Sequence, residues 1–292
     1  MKTNAIVVGG VFIFVFIVVF FCIVIYLDKD TNLDLYEKIK DKQIVKSQYQ
    51  PTSSPKSHIV PLKLFQTWHS NDLPPKMKEN IDTMRKNNPE LEYFLYDDND
   101  CIDFLKTYFP KDVVDAYNTL LPGAYKADLW RYCVMYIHGG VYLDIKYQCV
   151  DGFKFIDIMD REHFVLERPY YWKPGTYGIY NALIIAKPGN SLLLECIQNI
   201  VRNTQTNYYG YNPLYPTGPG LLGELYFGNI EQNLHRIDNF DLVFNIIDGI
   251  DVIIYQNQII LQSYTEYRKE QRATQKHKYY TELWSQRSIY NY

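Results

Sequence analysis

From residue 58 onward the chain alternates between short runs of apolar, β-branched and aromatic residues and longer stretches whose apolar positions recur every three or four residues. The short runs predict strands at 62–68, 91–96, 141–144, 163–167 and 182–186, with late strands or hairpin pieces at 242–247, 252–255 and 259–261. The longer stretches predict helices at 75–87, 99–108, 111–119, 124–138 and 191–202, punctuated by Pro, Asn and Gly. The sequence PTGPG at 216–220 reads as a tight turn leading into a short helix. Alternation of this kind predicts an α/β fold with a mainly parallel sheet and flanking helices.

The most informative stretch is ADLWRYCVMYIHGGVYLDIK, from Ala127 to Lys146. Its helix is apolar on nearly every side, which marks a buried helix, and Gly139 supplies the usual stop. Asp128 and Arg131 interrupt the apolar pattern at a spacing that puts them on one helix face. Buried charges are costly unless paired or used, so the pair reads either as a structural ion pair or as part of a polar site with Asp144. The following strand ends at Asp144 and, continued as a strand, would turn Asp144 and Lys146 to one side and Ile145 to the other. Ligands of open α/β sheets sit beyond the carboxyl ends of the strands. The first strand ends in Gln66, Thr67 and Trp68. There Trp68 is suited to stack on a nucleobase and Gln66 to read its edge; an ordinary core tryptophan is the plainer alternative.

Upstream, Ala5 to Leu27 carries no charge and is long enough to cross a bilayer. Lys2 precedes it and Asp28, Lys29 and Asp30 follow, so residues 1–27 are expected to form a single-pass signal anchor with a cytoplasmic N-terminus. Residues 28–57 end in QYQPTSSPKS and read as a stem, leaving 58–292 as one large α/β domain.

The formal net charge of −3 gives no reason to expect a nucleic acid partner. The 28 tyrosines suit a surface that handles sugars or nucleobases, although a biased genome composition raises tyrosine in the same way. The five cysteines show no C-x-x-C spacing and do not read as a zinc site.

The pieces PLKLFQTW at 61–68, YKADLWRYCVMYIHGGVYLDIK at 125–146, PTGPG at 216–220 and HKYYTELW at 277–284 together resemble glycosyltransferase family 32. These are the enzymes with a sugar-binding region containing Asp-X-Asp. The resemblance implies a GT-A fold, a UDP- or GDP-sugar donor, usually a divalent cation such as Mn²⁺ or Mg²⁺, and transfer of a hexose with retention to a glycan, glycoprotein or glycolipid acceptor. Carried over by position, it implies that Trp68, with Gln66 and Thr67, contacts the base. Asp128, Arg131 and Tyr142 would hold the donor sugar or ribose, and Asp144 is the first aspartate of the motif. The Thr217–Gly220 turn, with Gly218 and Pro219, would border the acceptor or donor-sugar pocket, while His277 and Trp284 would belong to a segment closing over the diphosphate.

The second aspartate of the motif is replaced by Lys146, which as an ammonium is no metal ligand. Two readings follow. Asp144, with His277, holds a weaker metal; or the Lys146 ammonium itself neutralises the leaving diphosphate. A membrane-anchored carbohydrate-binding protein on a degenerate transferase fold is the alternative outside enzymology. A carboxylate hydrolase using Asp128 and Asp144 is a third reading.

Overall fold

The computed structural model describes residues 58–168, 172–173, 176–228, 240–275 and 278–292. The expected anchor and stem, at 1–57, lie outside the described residues. Among the described residues no helix is long and apolar enough to cross a membrane.

Among the described residues nine strands form one sheet: β1 Lys63–Thr67, β2 Glu92–Tyr96, β3 Gly140–Leu143, β4 Tyr147–Cys149, β5 His163–Leu166, β6 Ile179–Ala186, β7 Leu242–Ile247, β8 Ile250–Tyr255 and β9 Gln258–Ser263. Their order is β2-β1-β3-β6-β5-β7-β8-β9-β4. The eight described helices are α1 Pro75–Asn87, α2 Asp98–Tyr108, α3 Lys111–Thr119, α4 Gly123–His138, α5 Ser191–Gln205, α6 Pro219–Phe227, α7 Tyr267–Thr274 and α8 Tyr280–Ser285.

The expectation of a mainly parallel sheet is corrected. Three pairings are parallel, β1 with β2, β1 with β3 and β5 with β7, against five antiparallel ones. The helical crossovers α1 and α2–α4 impose parallel pairing on the first three strands. In the second half Asp248-Gly249 and Gln256-Asn257 join β7 to β8 and β8 to β9. All four residues have positive φ, the backbone of tight hairpin turns. Asp-Gly is itself a hairpin signal, so this half is legible as a meander.

Side-chain alternation along β3 sorts the two faces of the sheet. Val141 and Leu143 join an apolar layer with Leu64, Ile185 and Phe155, while Tyr142 joins the helical layer with Phe65, Ile184 and α4. Helix α4 is sealed into that layer, with Leu129, Trp130, Tyr132, Cys133, Val134 and Met135 all fully buried. It stops at Gly139, whose φ of 59° lets its N–H reach Met135 O. Cys101, Cys133, Cys149 and Cys196 are all free thiols.

Helix α7 docks by an unusual cap. The Glu270 carboxylate accepts the backbone N–H groups of Lys76 at 2.9 Å and Met77 at 3.0 Å, at the start of α1. A helix N-terminus leaves such donors unpaired and favours negative charge, so this contact, with the packing of Tyr264 and Tyr267 on Met77 and Ile81, holds α7 against the first crossover.

Gly140 starts β3 with φ at 106°, and a Cβ there would sit 2.7 Å from Lys63 O on the neighbouring strand. Gly140→Ala is therefore expected to cost about 2 kcal/mol or more from backbone strain and lost pairing. It should read as a lower urea midpoint at unchanged m-value.

Candidate functional site

The carboxyl ends of β1, β3, β5 and β7 and the opening residues of β6 and β8 meet along one edge of the sheet. There they border a cleft of about 520 Å³, within the roughly 300–1,000 Å³ typical of small-molecule sites. Thr67, Trp68, Asp128, Arg131, Tyr142, Asp144, Lys146, Gly218 and Pro219, nine of the residues singled out in the sequence, line it.

The best-ordered part of the cleft centres on Arg131. Its Nη1 donates to Asn181 O at 2.7 Å and lies 3.3 Å from Asp144 Oδ1, and its Nη2 lies 3.3 Å from Asp128 Oδ1. Its Nε donates to Ala127 O at 3.2 Å, and the guanidinium lies over the Tyr142 ring at 4.5 Å. Tyr142 reaches the guanidinium from β3, whose alternation turns it toward α4, and Asp144 from the turn that follows the strand. The Tyr142 hydroxyl, held protonated by burial, donates to Asp144 Oδ1 at 2.9 Å. Asp128 accepts from Asn181 Nδ2 at 2.9 Å and from the Thr217 hydroxyl at 2.7 Å. Burial pushes the Asp128 carboxyl up, while Arg131, Thr217 and Asn181 pull it back. Gly218 packs so closely that a Cβ there would lie 3.1 Å from Asp128 Oδ2.

Asp144 and Lys146 do not share a face in the way a continued strand would require. The strand ends at Leu143, and Asp144 begins a turn closed by Tyr147 N donating to Asp144 O at 3.1 Å. Asn80 on α1 pins this turn by donating to both Ile145 O and Tyr147 O. The turn sends Asp144 toward Arg131 and Lys146 toward β8. There Lys146 Nζ lies 2.5 Å from Asp251 Oδ2, with Arg268 Nη2 of α7 3.3 Å from the same oxygen.

Two other expectations change. Gln66 is 1% exposed, accepts the Tyr93 hydroxyl at 2.9 Å and is not among the cleft-lining residues, because alternation along β1 turns it into the sheet interior. Trp284 packs on the helical layer, its Nε1 donating to Tyr209 O at 2.6 Å, and does not line the cleft either. His277 lies outside the described residues. Trp68 does line the cleft, edge-on to Tyr267, with its buried Nε1 unpartnered among the described residues.

The sequence reading missed Asn181, Glu167, Tyr180, Asp251 and Arg268, which also line the cleft. Asn181 and Asp251 are each a lone polar residue inside an apolar strand, IYNALIIA and IDVIIY, and that was the available signal. Glu167 follows directly on β5. Burial pushes its carboxyl up to about 8, against the pull of Arg168 and Lys146 and with a further push from Asp251.

A divalent cation does not fit the described donors. No group of three or more His, Cys, Asp or Glu side chains converges among them. Asp144 Oδ1 is engaged by Arg131 and Tyr142, and Lys146, two residues on, offers no metal-binding oxygen and is paired with Asp251. A second depression, along α1 and lined by Pro75, Lys78, Glu79, Asp82, Thr83 and Lys86, is a solvated charged face with no converging groups.

Residues 74–164 match the family described as "Glycosyltransferase sugar-binding region containing DXD motif". This segment belongs to that family. It runs from α1 to the start of β5 and carries Asp128, Arg131, Tyr142, Asp144 and Lys146 of the cleft. The chain is 28% identical over 176 residues to inositol phosphoceramide mannosyltransferase 3 of Schizosaccharomyces pombe, covering 58% of this chain and 45% of that protein. It is 30% identical over 233 residues to the initiation-specific alpha-1,6-mannosyltransferase of Candida albicans, covering 66% of this chain and 60% of that one. It thus spans about half the length of these relatives. Among solved structures, the PaToxG glycosyltransferase aligns at 15% identity and a TM-score of 0.46, over 73% of this chain and 84% of that one.

Between about pH 4.5 and 8 the folded protein keeps a proton on Glu167 that the unfolded chain has lost. Stability therefore falls as pH rises through that window. Glu167→Gln should remove this loss, so denaturant midpoints of variant and wild type should diverge in the variant's favour from pH 5 to pH 8.

Proposed function

We propose that this chain is a glycosyltransferase of GT-A type that transfers a hexose from a nucleotide-sugar donor to a glycan or glycolipid acceptor with retention. The observation that carries the reading is the Asp128–Arg131–Asp144 network. It stands at the strand ends inside the segment that belongs to the sugar-binding family. Mannose is the hexose favoured by the names of the fungal relatives, and a sphingolipid or glycan acceptor by the same names. Retention rests on the family-32 resemblance. The apolar segment 5–27 supports membrane anchoring, with the transferase region on the far side of the bilayer.

In this reading Asp128, oriented by Asn181 and Thr217, accepts a hydrogen bond from a donor-sugar hydroxyl. Arg131 fixes the two carboxylates relative to each other. Asp144, at the end of β3, faces the reacting region. Its charge favours the oxocarbenium-like state that develops as the anomeric bond breaks. Trp68 and Tyr267 form an aromatic wall on which a base can lie.

Asp144 is the cleaner position to test. Its side chain is 29% exposed, whereas Asp128→Ala would strand the buried Arg131 guanidinium and cost about 3–5 kcal/mol of stability. Asp144→Asn should keep the melting temperature within a few degrees and lower transfer by at least about a hundredfold. Transfer at the wild-type rate overturns the reading. A protein that binds glycans, transfers nothing and is not stabilised by UDP or GDP is instead a carbohydrate-binding protein on this fold.

A further inference from the structure

The Lys146–Asp251 pair asks for an explanation that the donor-sugar network does not give. Both residues are 7% exposed. Apolar residues of similar volume commonly serve stability as well as a buried ion pair does. This pair also lies at the cleft wall, where a purely structural cross-link has no need to be. The ammonium is held over the faces of Tyr147 at 5.1 Å and Tyr180 at 5.6 Å. Its backbone is fixed as well, with Lys146 O accepting Tyr264 N at 3.0 Å and the turn on either side held by Asn80.

At Asp251 itself the cations outnumber the carboxylate. Lys146 and Arg268 converge on one oxygen of Asp251, two cations on one carboxylate. Arg131, on the other side of the turn, is shared by Asp144 and Asp128. An ammonium has three protons, and Asp251 takes one. Arg268 is half-exposed at the cleft, on a helix anchored through Glu270 to the start of α1. An anionic group entering here meets fixed positive charge in a partly dehydrated site, where it counts for more than in water. At this place the family's motif has a second acid, and here a lysine stands opposite an aspartate from another strand.

We propose that the Lys146 ammonium is a covalently built-in substitute for a divalent cation. Asp251 is its fixed counter-carboxylate, and Arg268 contributes the uncompensated positive charge that receives a nucleoside diphosphate, so diphosphate binding in this cleft needs no metal. The proposal rests on the transferase reading. It accounts for a buried ion pair in a cleft wall and for the poor donor set around Asp144. It also implies that Lys146→Asp would set a carboxylate toward Asp251 in place of the ammonium and so create a site for hard divalent cations.

The test is binding of UDP and GDP to the full chain by calorimetry and thermal shift, in EDTA and in Mn²⁺. One of the two nucleotides is expected to bind the wild type in EDTA, with an affinity that Mn²⁺ changes by less than about threefold. Arg268→Gln should weaken that nucleotide about tenfold while leaving the parent nucleoside unchanged. For Lys146→Asp, Mn²⁺ alone should raise the melting temperature, and nucleotide binding should become Mn²⁺-dependent. Wild-type binding that requires Mn²⁺ overturns the proposal and leaves the transferase reading standing. Mn²⁺ alone stabilising wild type as much as Lys146→Asp overturns it too. Should Lys146→Asp fail to fold, the wild-type and Arg268→Gln measurements decide. Binding of neither nucleotide under either condition removes the transferase reading and the proposal with it.

Discussion

A guanidinium buried at 5% exposure dictates its surroundings, and Arg131 is that guanidinium. Dehydrating a cation is tolerable only where its donors are answered. Here they are answered by the carbonyl of Ala127 in its own helix, the carbonyl of Asn181 at the start of β6, and two carboxylates. One side chain therefore locks α4, the end of β3 and the start of β6 into a single arrangement. A lysine would not replace it, since a point charge has neither the planar fork nor the flat face that lies on Tyr142.

The other half of the cleft is made differently. Tight hairpins bring Asp251 to the strand ends at the start of β8, and α7 lays Tyr267, Arg268 and Gln271 along the opening. Besides the sheet itself and the Lys146–Asp251 pair, side-chain-to-backbone contacts through α1 link the halves, from Glu270 at its first turn and Asn80 in its middle. Helix α1 is thus the common support of the Asp144–Lys146 turn and of the wall facing it.

Much of this was legible in the sequence because periodicity reports burial. The Pro75–Asn87 and Lys111–Thr119 helices match their predicted bounds, and the apolar α4 with its two charges marked the centre of the site. Sheet direction was not legible, because strand patterns are much alike whichever way neighbours run. Only the turn residues Asp248-Gly249 carried that information. Asp144 was found because it ends an apolar strand. Lys146 was misdirected because the rule of alternation stops where a turn begins, and nothing local announces a turn at Ile145. Gln66 failed for the opposite reason: the alternation held there and carried it inward. Asp251 and Arg268 come from distant segments, and only the folded chain brings them to Lys146.

Asp128 illustrates what saturation does to a polar group. A carboxylate offers about four directions for hydrogen bonding. Asn181, Thr217 and Arg131 already occupy three of them. What remains is a single lone-pair direction fixed in space. A carboxylate left with one open direction responds to stereochemistry as well as polarity, for a hydroxyl on the right carbon but of inverted configuration would approach it from the wrong side.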